Sequence, residues 1–123
     1  MVQTTFDREP ARDAILGLLD EAPGRRPPLT AVVCATDQVA MGVLEALRSR
    51  GLRCPEDVSV TGYDDVPAAY DLGLTTVRVP YEEMGARAVS LALDEGAGDV
   101  LFATELIVRS SVGTVADRAE GST

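Results

Sequence analysis

The spacing of apolar residues changes several times along the chain, and each change marks an element. A short β-prone stretch, VQTTF at 2–6, precedes a segment in which Ala11, Ala14, Ile15, Leu18, Leu19 and Ala22 recur at helical spacing. Asp7 stands where it can cap that helix. The prolines of PGRRPPL, 23–29, end it in a loop. TAVVCA at 30–35 is continuously apolar and too short for a helix, which predicts a parallel strand covered on both faces. The next helix, QVAMGVLEALRSR, has Asp37 as its expected cap, Val39, Ala40, Val43, Leu44 and Leu47 inward, Arg48 and Arg50 near its end and Gly51 beyond. DVSVTGY at 57–63 is a second buried strand, DDVPAAYDLG a polar loop and LTTVRV at 74–79 a third strand ended by Pro80. A helix led by Glu82 and Glu83 carries Met84, Ala88, Leu91 and Ala92 and stops at Gly96, before a last strand around LFATELIV, 101–108. The tail from Gly113 has no apolar period and is expected to be mobile.

Strands alternating with helices predict an α/β fold with a doubly wound parallel sheet, because parallel neighbours need a crossover. Ligands of such sheets bind beyond the carboxyl ends of the strands. That rule brings Phe6, Thr36 with Asp37, Tyr63 with Asp64 and Asp65, and Val79 onto one rim.

Composition narrows the chemistry. At 123 residues the chain is sized for one domain. All 11 basic residues are arginine, and the net charge of −9 opposes binding to a phosphate backbone by this chain alone. The absence of lysine removes the Walker phosphate loop and Schiff-base chemistry, and the absence of histidine removes the commonest general base and zinc ligand. No apolar run approaches the length of a membrane span and no signal peptide is legible at the N-terminus, so the expected compartment is the cytoplasm. In that reducing setting Cys34 and Cys54 read as small hydrophobes rather than a disulfide.

Carboxylates and aromatic rings on one rim suit a polyhydroxylated ligand, since charged acceptors bind hydroxyls strongly and a ring covers the apolar face of a sugar or base. Each residue also has a structural alternative. Asp37 can be a helix cap, Asp65 a turn anchor, Phe6 a hydrophobic staple, and Tyr63 a packing residue. A phosphoaccepting receiver domain fails for want of the lysine at a strand end and of an acidic pair after the first strand. Glycoside hydrolysis by Asp37 and Asp64 stays formally open on a weak signal. No cofactor and no metal are expected.

TDQVAMG, LRCPEDVSVTGYDD, LTTVRVP and ELIVRSS, in that order between Phe6 and Gly113, resemble the lac and gal repressor family of bacterial transcription regulators. The resemblance implies one incomplete lobe of a type I periplasmic-binding-protein-like fold, the C-terminal part of the effector-binding module. Residues 1–113 would form that lobe, 81–96 a helix that packs on an N-terminal lobe absent here, and 114–123 a mobile tail. No helix-turn-helix is expected in this chain, so DNA would be reached only through a domain it lacks. Phe6 matches the ring that stacks on the effector, Thr36 a position where asparagine often binds a sugar hydroxyl, and Asp64 the aspartate that binds ligand hydroxyls or ring nitrogens. Asp37 looks like the helix cap of the motif, and Val79 occupies a position that can be polar in sugar binders. The implied role is sensing a small effector, a sugar or nucleobase, by population shift, without catalysis. A homodimer would cover the open strand edges and the 81–96 helix. The alternative is a free-standing dimerisation fragment that binds no effector.

Overall fold

The computed structural model describes residues 5–21, 29–93 and 98–115. Among these residues four helices and four short strands alternate: α1 (Arg8–Asp20), β1 (Ala31–Val33), α2 (Asp37–Ser49), β2 (Ser59–Thr61), α3 (Pro67–Asp71), β3 (Thr76–Arg78), α4 (Tyr81–Leu93) and β4 (Glu105–Ile107). Of the strand predicted at 2–6, residues 2–4 lie outside the described residues and residues 5 and 6 are not strand; most of the loop, 23–28, the helix end at 94–97 and the tail from 116 also lie outside them.

β1 and β2 pair in parallel, Val32 opposite Val60. Isolated parallel bridges, Thr61 to Thr75 and Asp64 to Arg78, carry the parallel arrangement on toward β3. β4 departs from the all-parallel expectation by pairing antiparallel with β3, Val77 opposite Leu106. After β4 the chain crosses back along β2. The Ser111 carbonyl accepts from Val60 N–H at 2.9 Å, while the Ser111 hydroxyl donates to the Val60 carbonyl at 2.6 Å and accepts from Thr75 N–H at 2.8 Å. This buried serine satisfies backbone groups that a regular strand would have paired.

The core forms where α1 packs on α2 and α2 on β2, with Ala11, Ile15, Ala40, Val43, Leu47, Val58, Val60 and Leu74 buried. Gly42 permits the helix contact. A Cβ there would overlap the carbonyl oxygen of Arg8, so α1 rests directly on the α2 backbone. The two helices run in the same direction, since Arg8 pairs with Glu45 and Arg50 clamps Asp20 at 2.8 Å.

Several expectations need correction. Asp7 occupies the N-cap position of α1, but its side chain makes no cap bond and instead accepts from the Thr5 hydroxyl at 3.2 Å. β1 is not covered on both faces. Val32 packs on the core, whereas Ala31 and Val33 point the other way, where no described helix lies against them, and Val33 is 84% exposed. The loop after β2 contains α3, with Pro67 in its first turn, where a missing N–H costs nothing, and buried Ala69 facing the core. α2 ends as predicted, with Gly51 at a φ of 69° just beyond. α4 has no buried residue, and Tyr81, Met84, Val89 and Leu93 are exposed.

Candidate functional site

The strand ends converge as the rim predicts. The chain leaving β1 enters α2 at Thr36 and Asp37, and Asp37 N–H donates to the Tyr63 carbonyl at 2.8 Å, drawing the two strand ends together. Asp64 N–H donates to the Val77 carbonyl at 2.9 Å, which ties the second strand end to β3 and so to Val79. Thr36, Asp37, Tyr63, Asp64 and Val79 therefore belong to one edge. Phe6 lies in a bend ahead of α1 and is 71% exposed, and among the described residues no hydrogen bond ties it to that edge. That exposure disfavours the staple reading, which needs the ring packed on the first turn of α1.

The cap expected of Asp37 is made by Thr36. Thr36 is the true N-cap of α2, its hydroxyl accepting from Val39 N–H at 3.2 Å. Asp37 is the first helical residue and is completely buried. Its Oδ1 accepts from the Thr76 hydroxyl at 2.6 Å and its Oδ2 from Val66 N–H at 2.9 Å. One carboxylate thus fastens α2, the start of α3 and β3 together. Gly62 makes room for it, since a Cβ there would overlap Asp37 Oδ1. A carboxylate committed this deeply has no face left for a ligand, so Asp37 is a structural hub and not a cap.

The exposed chemistry lies one strand over. Tyr63 is 38% exposed, and half-buried Asp64 has a φ of 111°, a region that side chains rarely adopt. Asp64 Oδ1 accepts from the Tyr81 hydroxyl at 2.7 Å, and this bond, then partial burial, lifts the Tyr81 phenol above its ordinary value. Asp65, at a φ of 55°, turns inward and accepts from Arg78 at 2.7 Å and from Arg109 at 2.7 Å. Arg109 also donates to the Leu74 carbonyl at 2.9 Å and lies 5.7 Å from the Tyr70 ring centroid. Burial alone would raise the Asp65 carboxyl, yet the bonds from Arg109 and Arg78 prevail and hold it below the ordinary value of 3.8. A carboxyl lowered on folding contributes stability above its unfolded pKa and loses it as pH falls through its folded pKa. The melting temperature is therefore expected to fall more steeply below about pH 4 in the wild type than in Asp65→Asn, as read by calorimetry.

The cysteines behave as predicted. Both are free thiols, and burial, followed by the Asp37 carboxylate, pushes Cys34 up to about 12. Neither is a nucleophile at neutral pH.

A model of the periplasmic binding protein-like domain matches residues 2–112. The chain belongs to that family. Its relatives are transcription regulators of the LacI type. It is 46% identical over 93 residues to the HTH-type transcriptional regulator MalR of Streptomyces coelicolor, covering 69% of this chain and 27% of MalR. Among solved structures it is similar to a LacI family transcriptional regulator from Enterococcus faecium with bound ribose, with a TM-score of 0.82 and 25% identity over 94% of this chain and 44% of that one. It is also similar to a LacI family transcriptional regulator from Arthrobacter sp. FB24 in complex with lactose, with a TM-score of 0.74 and 30% identity over 87% of this chain and 42% of that one. The chain thus spans about a quarter of the length of MalR.

Within this periplasmic-binding-protein-like lobe, sequence reasoning missed Tyr81, Arg109 and Tyr70. Tyr81 follows Pro80 at a helix start, so its position beside the rim was legible, but its reach to Asp64 depends on the packing of strand ends. Arg109 reaches Asp65 and the Tyr70 ring only because the chain after β4 folds back, which no local pattern announces. A cavity of about 410 Å³ at the C-terminal end of α2, lined by Leu44, Leu47, Arg48, Cys54 and Leu72 among others, lies at the helix end away from Thr36 and is not part of the rim. Among the described residues no cluster of acidic or cysteine side chains could hold a metal ion, and no helix is long and apolar enough to cross a membrane.

Proposed function

We infer that this chain is the C-terminal lobe of the effector-binding module of a LacI-type regulator, with residues 1–113 forming the lobe. It works by binding, without chemistry, on a sugar-like effector. One observation carries the reading: Asp64 is held at the strand-end rim by a strained backbone, half-exposed, with Tyr63 and Tyr81 beside it. A fixed carboxylate with aromatic side chains beside it suits hydroxyl groups on an apolar ring. Thr36, Val79 and the exposed ring of Phe6 would line the same ligand, and the ribose and lactose in two similar regulators support the ligand class. In such a regulator, operating in the cytoplasm, the effector favours one of two arrangements of lobes and heads through its differential affinity.

A lobe that supplies about half of the polar contacts and no lid binds weakly. Titration of the isotope-labelled chain with D-ribose and with lactose, followed by NMR, is expected to shift the Tyr63 and Asp64 amides with an affinity near ~1 mM. Asp64→Asn should abolish those shifts. Rim resonances that ignore every sugar and nucleobase tried would overturn the reading, and micromolar affinity would contradict the half-site.

A second reading, an interaction fragment without effector binding, is favoured by the unburied apolar residues of α4 and by exposed Leu106 and Val108. Both readings expect self-association through these surfaces. Sedimentation velocity at micromolar concentration should show a dimer, and a compact monomer would remove that part of the proposal.

A further inference from the structure

Helix α4 is held to the rest of the chain very lightly. None of its residues is buried. Its first-turn bonds are local, Tyr81 N–H to the Val79 carbonyl at 2.8 Å and Met84 N–H to the Pro80 carbonyl at 2.9 Å. Ser90 bonds back to Ala86 within the same helix. Among the described residues, one hydrogen bond ties α4 to a distant part of the chain, from the Tyr81 hydroxyl to Asp64 Oδ1 at 2.7 Å.

The acceptor of that bond is held quite differently. Asp64 sits at a φ of 111° with its N–H committed to Val77, and its neighbour Asp65 is clamped by Arg78 and Arg109. A backbone in so sparsely populated a region persists where its surroundings over-determine it. A rigid rim therefore presents the carboxylate while a loosely held helix supplies the donor.

We propose that Tyr81 is a positioning residue that fastens α4 to Asp64, and that a hydroxyl-rich ligand taking Asp64 competes with this fastening and loosens the helix. The competition rests on Asp64 being the ligand-facing carboxylate, as read above. A phenol and a sugar hydroxyl are donors of the same kind and seek the same lone pairs on Oδ1. Oδ2 accepts no hydrogen bond among the described residues, so an entering hydroxyl has a foothold before the phenol gives way. A ligand shifts a conformational equilibrium only by its differential affinity for the two states. Competition for one oxygen supplies that difference, and the helix that moves is the one with no buried residue.

Amide hydrogen exchange on the whole chain, measured by NMR with and without millimolar D-ribose, tests both parts. Tyr81→Phe keeps the ring and removes the donor. It is expected to speed exchange across Tyr81–Leu93 about fivefold to tenfold while α1 and α2 keep their protection. Asp64→Asn is expected to bring the Tyr81 ionisation down, read from the ring carbon shift, which a tyrosine that merely packs would not show. Ribose should speed α4 exchange in the wild type and add nothing in Tyr81→Phe. Unchanged α4 exchange in Tyr81→Phe overturns the fastening. Ribose that shifts the Asp64 amide yet leaves α4 exchange unaltered overturns the competition. Ribose that moves the Asp64 amide in neither protein overturns the sensing reading and the competition with it, and leaves the fastening standing on the Tyr81→Phe result.

Discussion

Asp37→Ala is expected to destabilise the chain by about 2–4 kcal/mol, because one buried and one partly buried donor lose their acceptor and each unsatisfied group costs about 1–3 kcal/mol. The donors are the Thr76 hydroxyl and Val66 N–H, and the residue between them is wholly buried. Against a domain stability of about 5–15 kcal/mol, that is a large share of the total. Asp37→Asn should cost about 1–2 kcal/mol, since its carbonyl can still accept from Val66 and its amide can turn to donate to the Thr76 oxygen. Urea unfolding of the three proteins measures the series. A ligand contact would behave in the opposite way, leaving the unfolding midpoint alone and changing only titrations with sugars. An Asp37→Ala protein as stable as the wild type would show that the buried carboxylate is not the hub.

The misassignment of Asp37 shows where sequence pattern stops. The spacing TDQ before an apolar helix announces a cap, and both Thr36 and Asp37 are good cap residues, so local chemistry cannot choose between them. The choice is made by Gly62 and Thr76, which lie 25 and 39 positions later and open a polar niche around the second residue. Helices were legible because their apolar periods are long and their stop signals agree, as at Gly51. The direction of β4 was not, because an apolar run of that length reads the same in either orientation. Asp64 was legible as a rim residue because it follows the strand VSVTGY, and strand ends in such sheets face ligands. Its partner Tyr81 and the clamp on Asp65 depend on contacts between segments far apart in sequence, which periodicity does not encode.

Gly42 and Gly17 give the second large effect, in opposite directions from the same substitution. Both lie inside helices, where alanine is intrinsically better than glycine by about 0.8–1 kcal/mol. At Gly17 nothing lies within 4 Å of an added Cβ, so Gly17→Ala should realise that gain and raise stability by about 1 kcal/mol. At Gly42 the added methyl would overlap the Arg8 carbonyl oxygen and lie 3.0 Å from the Arg12 nitrogen. Backbone atoms of α1 cannot turn aside as a side chain can, so the whole helix must move outward. That movement strips Ala11 and Ile15 from the core and weakens the ion pairs of Arg8 with Glu45 and of Asp20 with Arg50. Unburying Ile15 alone costs about 1.5–3 kcal/mol. Exposed ion pairs add little. The steric term therefore outweighs the propensity gain, and Gly42→Ala should lose about 2–3 kcal/mol net. Hydrogen exchange should locate the loss in α1 while α2 stays protected, and a Gly42→Ala protein more stable than the wild type would mean that the two helices do not meet backbone to backbone.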